Sequence, residues 1–481
     1  MSAARAVPVS LLLVALAVQA PPVAHAAARS CPPRPLARCF SVTVPLDRAG
    51  TVPGSVRIRA ARIRSRRATR APLIGLTGGP GQAGVVFAET YDILLGAPNR
   101  DLVVFDQRGT GASGLLRCRG LERTLPKSFS SPAGACGRSL GPRRPFYTSA
   151  DSAEDLEALR VRLGAPQIAL YSVSYGTRVA LEYARRYPQR VERMILDSPV
   201  GLLAPDPLAR ETLAAIPRVI RSACRGGACG AAGTHPVADI ARLRARLRRT
   251  PLRRVVHGVP VRVDADDLLG MIVGADLDPA LMQAIPGAVR AALGGQGARL
   301  ARLKRSLSSI NDAGPVSAFS PALFATTTCE ESPPAWDPAA GPAARRTQAQ
   351  ALADATPLAA LYPFDRRAAI GAGMLGLCAD WPAAARTIVP SPPLPTGVPT
   401  LVLSGDLDLR TPLEKARELA RALPGARLLV ERGVGHGVLG ADPGGCADGA
   451  VQAFLDRRGV PRCRRDGASL SLSAASARPP R

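Results

Sequence analysis

Residues 167–176 read QIALYSVSYG. The run Ile168–Val173 is short and apolar, as in a strand buried on both faces of a sheet. The next stretch, YGTRVALEYARRYP from Tyr175, has helical period. A strand passing straight into a helix must turn sharply, and small residues are needed where the two nearly touch. Ser172, Ser174 and Gly176 are those residues. The stretch predicts a βα unit with a serine hydroxyl presented at the strand's carboxyl end.

The same form recurs on either side. APLIGLTG (71–78), DLVVFDQRG (101–109) and VERMILDSP (191–199) are short apolar runs that stop at glycine or polar residues. SAEDLEALRVRLGA (152–165) is helical in period between two of them. Before them, FSVTVPLD (40–47) and SVRIRAARI (55–63) alternate with a period of two, as antiparallel strands do. This βα alternation predicts an α/β fold with a mostly parallel, doubly wound central sheet.

From about residue 200 the pattern breaks. PLARETLAAIPRVIRSA, VADIARLRARLRR and LARLKRSLSSI are helical and rich in Ala and Arg, with Pro/Gly-rich connectors. Alternation resumes at VPTLVLSGDLD (398–408), then the helix TPLEKARELARAL, the strand in ARLLVERGVGH and the helix GAVQAFLDRRG. The expected organisation is a first core part over 27–199, a mostly helical cap over 200–397 and a second core part over 398–465. A low-complexity tail, 466–481, follows.

The first 26 residues read as an export signal. Arg5 supplies the charge, VPVSLLLVALAVQA the apolar segment and AHA, ending at Ala26, the cleavage site. The apolar run is shorter than the ~20 residues a spanning helix needs. Ten cysteines agree with an oxidising compartment. Neighbour pairing would join Cys31 to Cys39, Cys118 to Cys136, Cys224 to Cys229, Cys329 to Cys378 and Cys446 to Cys463, although sequence leaves connectivity open. No C-x-x-C occurs and the histidines do not cluster with cysteines, so neither metal nor cofactor is expected.

The net charge is +26. The arginines are spread along the chain and aromatic residues are only 4%, which argues against a nucleic-acid partner. A solvated basic surface is the expected reading, with attraction to an anionic cell envelope as the alternative.

Serine becomes a useful nucleophile when a strand-to-helix turn presents it beside a histidine. Ser174 meets that requirement, with Gly176 two residues on. Ser172 lies inside the strand. Of the four histidines, His25 is in the signal, and His235 and His257 stand beside Pro236 and Gly258 in loops. His436, in GVGHG after the last strand, is the candidate general base. Asp406 and Asp408, on the loop after the strand TLVLSG, are candidate acids. Either gives the chain order Ser, Asp, His. LTGGPGQAG offers bare backbone for an oxyanion, with the N–H groups of Gly79 and Tyr175 as donors.

Taken together, GGPG, DQRGTGASG, SYGTRVALEYARRYP, LVLSGDLDLRTP and GVGHG resemble secreted α/β-hydrolases of the tripeptidyl and prolyl aminopeptidase group. The resemblance runs from about Cys39 to Cys463 and is weak across the insertion. It implies an α/β-hydrolase fold with a large helical cap, Ser174 as nucleophile, His436 as base and Asp408 as acid. The acid is placed by Gly405, Asp408, Thr411 and Pro412, which match G-x-x-D-x-x-T-P. The resemblance also implies a Cys446–Cys463 disulfide. Two positions depart from the group: Ser172 replaces the elbow glycine and Thr77 stands where histidine often precedes GGPG.

The implied activity is a secreted serine exopeptidase that cleaves peptides from the free N-terminus through an acyl-enzyme. Glu330, Glu331 and Asp380 are candidates for the substrate ammonium, because a carboxylate suits that charge. An esterase acting on small acyl esters would use the same triad. A non-catalytic binding protein of this fold is disfavoured because all three triad residues are present.

Overall fold

The computed structural model describes residues 37–463, except 125–129, 203–205, 311–313, 333–334, 384–390, 443 and 462. The expected signal segment and the expected tail lie outside the described residues.

Eight strands form the central sheet: β1 Ala37–Pro45, β2 Ser55–Ile63, β3 Leu73–Leu76, β4 Leu102–Phe105, β5 Ile168–Val173, β6 Val191–Asp197, and, after a hairpin of β7 Leu252–Val256 and β8 Val259–Val263, the strands β9 Thr400–Gly405 and β10 Arg427–Glu431. Their order is β1-β2-β4-β3-β5-β6-β9-β10. β1 pairs with β2, and β2 with β4, antiparallel. Every other neighbouring pair in the sheet is parallel. This is the expected α/β fold.

The apolar runs are continuous because both faces of the sheet are covered. Along β5, Ile168 and Leu170 enter one core with Leu156, Leu159, Val179 and Leu419. Ala169 and Tyr171 enter another with Tyr91, Leu95, Val451 and Phe454. The helices Ser149–Arg162, Gly176–Arg186 and Leu413–Ala422 therefore lie on one face, and Ala88–Leu95 and Cys446–Leu455 on the other. The helix Ser149–Arg162 starts at a reciprocal capping box between Thr148 and Asp151.

β3 lies between β4 and β5, so the chain leaves β3 to one side and β5 to the other. Such a reversal opens a crevice at the strands' carboxyl ends. Thr77–Gly81 and Ser174 both emerge there.

Between β6 and β9 the chain builds a separate core. Leu213, Ile216, Val219, Ile240, Leu243, Ile272, Met282 and Val289 pack together in it. Leu407 and Leu409, from the loop after β9, join this cluster and tie it to the sheet.

One element here was not anticipated. β7 and β8 form a hairpin in register Leu252↔Val263 to Val256↔Val259. Its two turn residues, His257 and Gly258, have φ of 46° and 76°, the positive values a tight two-residue hairpin needs. Alternation in RRVVHGVPVRV carried that signal, but its many arginines masked it among the surrounding basic helices.

Four disulfides join described residues: Cys118–Cys136, Cys224–Cys229, Cys329–Cys378 and Cys446–Cys463. Cys31 of the fifth expected pair lies outside the described residues. Among the described residues, no helix is long and apolar enough to cross a membrane.

Candidate active site

At the end of β5 the chain turns through Ser174, whose φ is 55°. A non-glycine residue in this region is strained, and such strain is typical of a serine presented at a strand-to-helix turn. The turn is tight on both sides. A Cβ on Gly176 would stand 2.7 Å from the carbonyl oxygens of Leu76 and Thr77, and one on Gly78 would stand 2.9 Å from Ser174 Cβ. The glycines are thus required by the approach of β3's loop to the elbow.

Ser172 is fully buried, and its hydroxyl donates to the Ile195 carbonyl at 3.0 Å. It fills the position of the missing elbow glycine and satisfies itself on β6. Ser172→Gly should cost about 1–2 kcal/mol, from the lost hydrogen bond and a freer strand backbone. Its rate of turnover should stay within about threefold of the wild type, a change too small to reflect the loss of any transition-state contact. Parallel melting curves and steady-state assays check both values.

The loop after β3 is braced by the DQRG segment. Asp106 accepts N–H bonds from Gly84 at 2.9 Å, Val85 at 2.8 Å and Ala112 at 2.8 Å. Burial raises its pKa, and these three bonds work against that rise. Gln107 donates to the Thr77 carbonyl at 3.0 Å. The Thr77 hydroxyl donates to the Gln82 carbonyl at 2.9 Å, and the Gly78 N–H is taken by Gln82 Oε1 at 3.2 Å. Of the two proposed oxyanion donors, Gly79 follows at φ 109°. Tyr175 occupies the N-cap of Gly176–Arg186, with no side-chain cap there. Helix-start N–H groups have no acceptor within the helix.

Asp408 and His436 meet at the carboxyl edge. His436 Nδ1 lies 2.9 Å from Asp408 Oδ2. A neutral imidazole held this way donates from Nδ1 and leaves Nε2 without a proton. Asp408 is fully buried, and the other side of its carboxylate accepts the Thr411 N–H at 2.8 Å. The Thr411 hydroxyl lies 2.7 Å from Asp408 Oδ2 and 2.9 Å from the Ser198 carbonyl. Asp406 turns elsewhere: it accepts the Gly433 N–H at 2.7 Å and pairs with Arg225 at 3.0 Å.

A polar bracket at the end of β6 links the two halves. The Ser174 N–H donates to the Asp197 carbonyl at 3.0 Å. The Asp197 carboxylate accepts the N–H groups of Val438 at 2.8 Å and Leu439 at 2.9 Å, and the Tyr171 hydroxyl at 2.9 Å. Ser198 Oγ accepts the Gly437 N–H at 2.9 Å. Asp197 is wholly buried, and burial raises its pKa. The sequence reading missed this pair. The acidic-hydroxyl step at the end of the apolar run VERMILDSP was the available signal.

The three candidate ammonium ligands are separated by their partners. Glu330 accepts from Arg144 Nε at 2.6 Å and Trp381 Nε1 at 2.7 Å. Asp380 pairs with Arg346. Glu331 is the one that reaches the elbow. Its Oε1 lies 3.4 Å from the Tyr175 hydroxyl and accepts the Ser149 N–H, while Oε2 lies 3.2 Å from Arg178. Burial pushes the Glu331 carboxyl up, against the pull of Arg178.

Comparison with known proteins agrees with this architecture. Residues 71–219 match the family described as alpha/beta hydrolase fold, and residues 362–469 match the family described as TAP-like protein. Ser174 and Gly79 fall in the first match, Asp408 and His436 in the second. The chain is 30% identical over 195 residues to the tripeptidyl aminopeptidase of Streptomyces coelicolor, covering 35% of this chain and 36% of that protein. It is 31% identical over 159 residues to the serine protease Hip1 of Mycobacterium tuberculosis, covering 28% and 30%. It is 31% identical over 138 residues to the proline iminopeptidase of Lactobacillus delbrueckii subsp. bulgaricus, covering 28% and 39%. The chain thus spans about a third of the length of the curated relatives it matches. With a doubly covered, mostly parallel sheet, a positive-φ serine at its elbow and both halves matched, the chain has the α/β-hydrolase fold, and its second sheet half is similar to the TAP-like family.

Proposed function

We propose that the protein is an exported serine exopeptidase that cleaves peptides from the free N-terminus, with Ser174, His436 and Asp408 as its triad. The observation that carries this reading is the Asp408–His436 pair at 2.9 Å, on the same sheet edge as the strained Ser174. In the proposed cycle His436 Nε2 takes the Ser174 proton and Oγ attacks the peptide carbonyl. The N–H groups of Gly79 and Tyr175 receive the oxyanion. His436 then gives its proton to the leaving amine, and water releases the acyl group by the same route. No metal or cofactor enters the cycle. Export is supported by the four disulfides between described residues.

The exopeptidase part of the reading draws on Glu331, the half-buried acid against Tyr175. Its carboxylate suits a substrate ammonium, with Glu330 and Asp380 holding the surrounding disulfide segment in place. Glu331→Gln should raise KM for free-amino tripeptidyl anilides by about tenfold or more, the worth of a charge-assisted hydrogen bond. N-acetylated substrates should change little. Equal losses on both series would remove Glu331 from this role. Faster turnover of p-nitrophenyl esters than of any aminoacyl or tripeptidyl anilide would favour an esterase instead.

A further inference from the structure

The helical insertion reaches the triad at Asp276. Asp276 lies in the short turn Ala275–Leu277 and is 2% exposed. Its backbone carbonyl accepts the His436 N–H at 2.8 Å. Its Oδ2 accepts the N–H groups of Leu409 at 3.1 Å and Arg410 at 3.0 Å. The same carboxylate is ion-paired with the Arg410 guanidinium. Asp276 therefore grips the acid loop and the histidine loop at once.

The fit is close enough to dictate a neighbouring residue. A Cβ on Gly435 would fall 1.7 Å from the Asp276 carbonyl oxygen. The glycine before His436 is thus needed because the insertion's backbone lies against it. Asp276, Asp408 and His436 also bring one polar atom each within 4.8 Å of one another. A second carboxylate beside an Asp–His pair stabilises a protonated imidazole, and a cation there opposes it.

We propose that Asp276 is a positioning residue for His436: it holds both catalytic loops and, balanced by Arg410, sets the charge felt by the imidazole. This rests on the triad reading above. Asp408, from the loop after β9, and Asp276, from the insertion, bring carboxylates beside His436; Arg410 pairs with Asp276, and Asp197 at the end of β6 holds the N–H groups of Val438 and Leu439 just beyond it.

The test is the pH dependence of Ser174 labelling by a fluorophosphonate, whose acid limb reports protonation of the base. Asp276→Asn keeps an oxygen for the two N–H groups but removes the negative charge and leaves Arg410 unopposed. Its acid limb should move to lower pH by about half a unit or more. Arg410→Gln removes the cation and should move the limb to higher pH by a similar amount. A residue that only packs the loops would move both limbs the same way, or neither, and either result overturns the proposal. If Asp276→Asn fails to fold, Arg410→Gln decides alone: a limb that does not rise overturns it. Wild-type protein that does not label at Ser174 overturns the triad reading and this role with it. Wild-type labelling with unshifted variants overturns only this role.

Discussion

Ser174→Ala abolishes fluorophosphonate labelling and lowers hydrolysis of peptide anilides by about 10⁴-fold or more, the scale on which a serine hydrolase loses turnover without its nucleophile. The effect is large because the other parts cannot act without Oγ. His436 then has no hydroxyl to deprotonate, and the proposed donors at Gly79 and Tyr175 have no tetrahedral oxyanion to stabilise. Folding should be unaffected or slightly improved. Ser174 sits at φ 55°, and alanine neither relieves nor greatly worsens that strain. Its N–H bond to the Asp197 carbonyl is a backbone bond and survives the change. Melting curves that overlay the wild type, together with an inactive enzyme, are the expected pair of results. Retained activity would move the nucleophile elsewhere, and the buried Ser172 hydroxyl, committed to the Ile195 carbonyl, is a poor substitute.

Most of the sheet was legible because its strands are short apolar runs ended by glycine or a polar residue. β3, β4, β5, β6 and β9 each follow that form, and Ser174 and Asp408 stand just beyond two of them. His436 stands in the loop that follows β10. Local pattern was enough there, because the fold puts its chemistry where buried strands stop. The partners of the acids were not legible. Nothing around Glu330 announces Arg144, and nothing in GADLDP announces that Asp276 meets the loops at Leu409 and His436. These contacts join distant segments, and tertiary packing sets them rather than period or propensity. Asp406 and Asp408 show the boundary well. The order of the loop residues alone admits both, the resemblance to G-x-x-D-x-x-T-P selects Asp408, and the fold turns Asp408 toward His436 and Asp406 toward Gly433 and Arg225.

Arg108→Met is the substitution with the largest expected effect on stability. Arg108 is 1% exposed and forms a two-pronged bond with Asp155, Nε to Oδ2 at 2.7 Å and NH2 to Oδ1 at 2.6 Å. Its remaining nitrogen donates to the carbonyls of Phe146 at 2.7 Å and Leu46 at 3.1 Å. Removing it strands a carboxylate with no exposed side-chain surface, whose other cation, Arg48, is 31% exposed. Two carbonyls also lose their donor. Breaking one side of a buried pair costs about 3–5 kcal/mol, which a urea titration reads as a lower midpoint at similar slope. The double variant Arg108→Met/Asp155→Leu removes both charges together and should recover a large part of that loss. Below its midpoint the single variant should still label at Ser174, because Asp106 and Gln107 still hold the loop after β3. That separates the roles of three consecutive residues: Asp106 and Gln107 shape the loop beside the elbow, and Arg108 ties it to the helix Ser149–Arg162. A loss below about 1 kcal/mol for the single variant, or no recovery in the double, would show that Asp155 does not depend on Arg108.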